Sequence, residues 1–136
     1  MSATGSFPAD GMAITHILVV RELDRSVGWY RDVLGATLTG QYGGTSAVFS
    51  LAGGWLLLVT GGGETPDKPG TAFEPPQDPS RISHSITFRV PDCRAAHETL
   101  RQRGAEFLTP PHESAGEIRC FFRDPSGHLF EISERK

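Results

Sequence analysis

The stretches Ile14-Thr15-His16-Ile17-Leu18-Val19-Val20 and Ile82-Ser83-His84-Ser85-Ile86-Thr87-Phe88 decide the fold, because they are two copies of one pattern. Each is a short run rich in apolar and β-branched residues with a histidine in third place, and the two histidines stand 68 positions apart. Such runs read as strands. At the same offset Asp24 matches Asp92, a residue type that favours the helix N-cap, and each copy then reaches a Gly-Ala pair, Gly35-Ala36 and Gly104-Ala105. Self-similarity of this kind marks a repeated supersecondary unit.

Between cap and glycine, Val27, Tyr30 and Leu34 recur at helical spacing in the first copy, and Ala96 and Leu100 do so in the second. They predict amphipathic helices over 25–34 and 93–103. Three strand-like runs follow each helix, at 37–42, 45–51 and 55–60, then at 106–109, 117–123 and 128–133. The unit is βαβββ, twice, an α+β fold that would bring the first strand of each copy to one shared concave surface. Module one takes 12–60 and module two 81–136. Residues 61–80 hold five prolines and four glycines, too broken for regular structure, and read as a linker. Residues 1–11 read as a flexible tail.

The chain has 136 residues, 38% of them hydrophobic and 21% charged, the make-up of one globular domain over 12–136. A domain of this size buries roughly two-thirds of its unfolded surface, so folding needs no structural metal or disulfide. Cys93 and Cys120 show no C-x-x-C spacing. The net charge of −3 offers no field for a phosphate backbone or an anionic membrane, and no apolar run approaches a membrane-spanning length. The expectation is a cytoplasmic protein whose partner is a small molecule, with neither nucleic acid nor membrane involved.

Alternation along strands assigns faces. His16 falls with Leu18 and Val20, and His84 with Ile86 and Phe88. Glu131 falls with Leu129 and Ser133, opposite the helices, while Glu117, Arg119, Phe121 and Arg123 form the cleft-lining face of their strand. A lone strand histidine is ordinarily a hydrogen-bonded structural residue. Its repetition in both copies, with an inward Glu131, instead points to two imidazoles and a carboxylate around one divalent ion. That set leaves open positions on iron(II) and is compatible with zinc or manganese.

These residues resemble the vicinal oxygen chelate superfamily, which includes glyoxalase I, extradiol ring-cleaving dioxygenases, fosfomycin-resistance thiol transferases and bleomycin-resistance proteins. The resemblance rests on His16, His84, the run Trp29-Tyr30-Arg31-Asp32-Val33-Leu34-Gly35, and the ending Phe122-Arg123-Asp124-Pro125-Ser126-Gly127-His128-Leu129-Phe130-Glu131. It implies paired βαβββ modules whose mixed sheets enclose a metal-binding cleft, a divalent metal that binds neighbouring substrate oxygens, and a homodimer.

Departures rank the activities within that resemblance. The fourth glutamate ligand of glyoxalase I falls on Leu58 or, by an alternative pairing, Leu57, and neither ligates. The threonine of fosfomycin-resistance enzymes, two positions after the first histidine, is Leu18 here. Bleomycin-resistance proteins generally lack the strand histidines. The extradiol set of His, His and Glu matches His16, His84 and Glu131, and the family's acid/base histidine corresponds to His112, nine residues before Phe121. Phe121 replaces an expected tyrosine and contacts substrate without donating a hydrogen bond, and Arg119 pairs with an anionic substituent. The leading expectation is an extradiol-type dioxygenase holding Fe(II), with Mn, Zn or Ni as alternative ions. The alternatives are a glyoxalase-like lyase or isomerase and a metal-free drug-binding protein.

Overall fold

Alternating burial turns each copy of the repeat into a sheet backed by one helix. The computed structural model describes residues 5–136; of the tail expected over 1–11, residues 1–4 lie outside the described residues. The first module consists of β1 (Thr15–Val20), α1 (Leu23–Asp32), β2 (Thr37–Tyr42), β3 (Ser46–Leu51) and β4 (Gly54–Thr60). Its sheet runs β1-β4-β3-β2, with β1 parallel to β4 and the other pairs antiparallel. The second contains β5 (Ser85–Arg89), α2 (Cys93–Gln102), β6 (Glu106–Phe107), β7 (His112–Glu113), β8 (Glu117–Arg123) and β9 (Leu129–Arg135). Its sheet runs β5-β9-β8-β6, with β7 paired to β8. The α+β architecture of two βαβββ units is therefore present.

Local chemistry explains where the elements depart from expectation. Asp92 caps α2 by accepting from the Ala95 amide at 3.0 Å, but Asp24 does not cap α1. That helix starts earlier, behind Glu22, and so buries Leu23 in the core; Asp24 lies in its first turn, where a carboxylate still faces the positive end of the helix. The run expected over 106–109 stops at Phe107 because Pro110 and Pro111 cannot extend a ladder, and pairing resumes beyond them as β7. The strands β1 and β5 begin 70 positions apart, as do the two helices. The histidines, 68 apart, are therefore not structural equivalents, and His84 lies one residue ahead of β5.

The core lies between the sheets and their helices. Leu18, Val20, Phe49, Leu56 and Leu58 meet Tyr30 in the first module, and Cys93, Cys120, Phe122, Phe130 and Ile132 fill the second. Aromatic rings join them, with Trp29 and Tyr30 of α1 each about 6.1 Å from Phe130. The β8–β9 turn completes the junction. Its Ser126 hydroxyl and carbonyl accept from the Arg21 amide and guanidinium at 3.0 and 2.7 Å, and His128 Nε2 bonds the Val19 carbonyl at 2.7 Å.

Within 61–80 the chain makes isolated bridges, Gly62 with Phe73 and Thr65 with Lys68, and the Pro76 carbonyl accepts from Arg21. Among the described residues no helix is long and apolar enough to cross a membrane.

Candidate functional site

The second sheet carries the polar face. Register places Thr87, Glu131 and Phe121 side by side on β5, β9 and β8, so Ser85, Arg89, Leu129, Ser133, Arg119, Glu117 and Arg123 share their side of the sheet. The opposite side, with Phe130, Ile132 and Cys120, packs under the helices. Glu131 is only 8% exposed, and its carboxylate accepts a short hydrogen bond from the Thr87 hydroxyl. Arg119 Nη1 lies 3.5 Å from Oε2 of Glu131 and 3.5 Å from Oε1 of Glu117. The Ser133 hydroxyl donates to Glu117 at 2.7 Å, and that bond, together with nearby arginines, holds the Glu117 carboxyl below its ordinary range.

Three of the residues singled out from sequence meet at one end of this face. His112 stands directly across the β7–β8 pair from Arg119, and the Arg119 guanidinium lies 5.7 Å from the centre of the Phe121 ring. With Pro110 and Pro111 they line an open pocket of about 460 Å³. A cation resting on an aromatic face with donors to spare suits a flat ligand that carries acceptor oxygens.

The histidines are placed otherwise. His16 pairs in register with Leu56, and Leu18 with Leu58, so its strand position belongs to the buried, helix-backed side of the first sheet. Its ring stacks on that of His84, with centroids 5.6 Å apart and planes inclined by 28°. The two imidazoles thus lie side by side. Glu131 projects from the helix-free side of the other sheet, held by Thr87 and faced by the fixed positive charge of Arg119. Among the described residues no group of three His, Cys, Asp or Glu side chains is arranged to hold a metal ion. His16, His84 and Glu131 do not fit one shared ion in this arrangement.

A family model described as the glyoxalase/bleomycin resistance protein/dioxygenase superfamily matches residues 13–132. The chain belongs to this superfamily. Among solved superfamily structures it resembles a glyoxalase/bleomycin resistance protein/dioxygenase from Nocardioides, at 25% identity and a TM-score of 0.73, over 97% of this chain and 88% of that one. It is also similar to a point mutant of FosX, a fosfomycin resistance protein from Listeria monocytogenes complexed with Mn(II) and 1S,2S-dihydroxypropylphosphonic acid. That likeness has 20% identity and a TM-score of 0.65 and covers 91% and 89% of the two chains. A third similar structure is TnmS3, an antibiotic binding protein from Streptomyces sp. CB03234, with 18% identity, a TM-score of 0.67, and 94% and 98% coverage. No curated protein matches the chain. The chain thus shares its fold with a metal-bound fosfomycin resistance protein and with an antibiotic binding protein.

Sequence reasoning missed Thr87 and Arg89. Alternation held the signal for both, since a strand that places Ile86 and Phe88 under the helices must aim Thr87 and Arg89 away from them.

Proposed function

We propose that this chain captures a small organic molecule, without a metal ion, on the helix-free face of its second sheet. One observation carries the reading: His16 belongs to the helix-backed side of the first sheet, while Glu131 lies on the helix-free side of the second. In this reading Phe121 stacks on a flat portion of the ligand. Arg119 and His112 meet its acceptor oxygens, and Glu131 with Thr87 fixes the guanidinium in place. The antibiotic binding of TnmS3 lends support as a precedent on the same fold.

The extradiol-type dioxygenase and the glyoxalase-like lyase both require Glu131 on a divalent ion. One observation favours them, the 5.6 Å approach of the two imidazoles. Metal analysis of protein purified without chelator, with a thermal-shift screen of flat polycyclic antibiotics in EDTA, decides. Capture is supported by a compound that stabilises the wild type in EDTA and fails on Phe121→Ala. Stoichiometric iron, manganese, zinc or nickel that leaves in Glu131→Ala overturns it in favour of the enzyme.

A further inference from the structure

A cavity of about 980 Å³ lies away from the Arg119 pocket, where residues 8–14 pass over the tip of the β3–β4 hairpin and the edge strand β5. It is within the size range of small-molecule sites. Met12, Ile14 and Trp55 line it although they are 49%, 75% and 38% exposed, so three of the seven large hydrophobic side chains left exposed among the described residues gather at one cavity. Exposed apolar side chains scattered singly need no explanation, but a cluster does.

The charges of the lining point to the occupant. Arg89 and His16 line the cavity, whereas none of its described lining residues is an aspartate or glutamate, in a chain with three more acidic than basic residues. Arg89 Nη1 lies 3.1 Å from the Ser133 hydroxyl and 3.7 Å from Glu117, which leaves other guanidinium donors for a ligand. The Trp55 indole and the Phe88 ring supply flat apolar walls.

We infer that this cavity is a second ligand site, selective for an organic anion with a flat apolar body, such as an aryl sulfonate or an aromatic carboxylate. Its walls take the body, and Arg89 with His16 takes the charged end. The inference does not rest on the capture proposed for the Arg119 pocket: the two pockets have different linings, and they meet only through Thr87 of this cavity, which bonds the Glu131 that faces Arg119.

Titration with anilinonaphthalenesulfonate and with its uncharged counterpart phenylnaphthylamine tests this, read by probe fluorescence and by energy transfer from tryptophan. One sulfonate probe is expected per chain, bound about tenfold more tightly than the neutral one, as for a single charge-assisted hydrogen bond. Arg89→Met removes that preference and Trp55→Leu weakens both probes, whereas Arg101→Met, at a guanidinium that pairs with Glu98 on α2, changes neither. Equal affinity for the two probes, or indifference to both Arg89→Met and Trp55→Leu, overturns the site. So does loss of the probe as protein concentration rises, which would mean that a second copy of the chain covers the cavity.

Discussion

Tyr30 on α1 donates a 2.7 Å hydrogen bond to Oδ2 of Asp124 in the β8–β9 turn, across 94 residues of sequence, and so binds one module to the other through a buried carboxylate. Asp124 Oδ1 accepts from the amides of Ser126 and His128 at 2.9 and 2.8 Å. The same turn supplies the Ser126 and His128 contacts to Arg21 and Val19. Asp124→Ala strands a hydroxyl and two amides, and is expected to cost about 3 kcal/mol in urea unfolding, against about 1 kcal/mol for Tyr30→Phe. Equal losses in the two variants would mean that the turn does not depend on the carboxylate.

Alkaline pH is expected to loosen the same junction. Burial, then the charge and hydrogen bond of Asp124, push the Tyr30 phenol well above its ordinary 10.0. Burial, foremost, pushes the Cys120 thiol from 9.0 up to about 12. Both folded values are raised, so both contributions are complete below the unfolded values and are lost as pH climbs toward the folded ones. The melting temperature should fall from about pH 9 upward, and less steeply in a Tyr30→Phe, Cys120→Ala double variant. An unchanged alkaline slope in that variant would assign the loss to other groups.

Gly61 is fixed by space. A Cβ there would stand 2.7 Å from the Phe73 carbonyl, at the bridge in which Gly62 and Phe73 exchange hydrogen bonds of 3.0 and 2.8 Å. Backbone cannot swing aside as a side-chain tip can. Gly61→Ala should cost about 2 kcal/mol, as overpacking does, whereas Gly63→Ala, with nothing within 4 Å of its Cβ, should cost less than half as much. Matching denaturation midpoints would show that the loop yields freely.

The repeat was legible because each of its signals is local: β-branched runs, a capping aspartate, a glycine after the helix. The face of Arg119 and Phe121 was legible for the same reason, since alternation needs only the strand itself. What failed to show was long-range. Nothing near Asp124 in the sequence announces Tyr30, and Thr87 reaches Glu131 across 44 residues of sequence. The histidine triad sets two local signals against each other. Leu18 and Val20 are core residues, so alternation already put His16 on the core side and Glu131 on the other; identity at the third position of each copy outweighed a face assignment that disagreed with it.

That face assignment makes a prediction about metals. An ion held at micromolar affinity stabilises the fold by about 4 kcal/mol when supplied at millimolar concentration, a rise in melting temperature of more than about 10 °C for a chain of this size. With His16 beside Leu56 and Glu131 facing Arg119, millimolar Mn, Zn or Ni should shift the wild type by less than about 2 °C, far below the rise expected of a true site. His16→Leu should respond in the same way, and its own stability should hold, because leucine suits a position flanked by Leu18 and Leu56. A large shift in the wild type that vanishes in His16→Leu would show that His16 turns to the ion after all, and the dioxygenase and lyase readings would return.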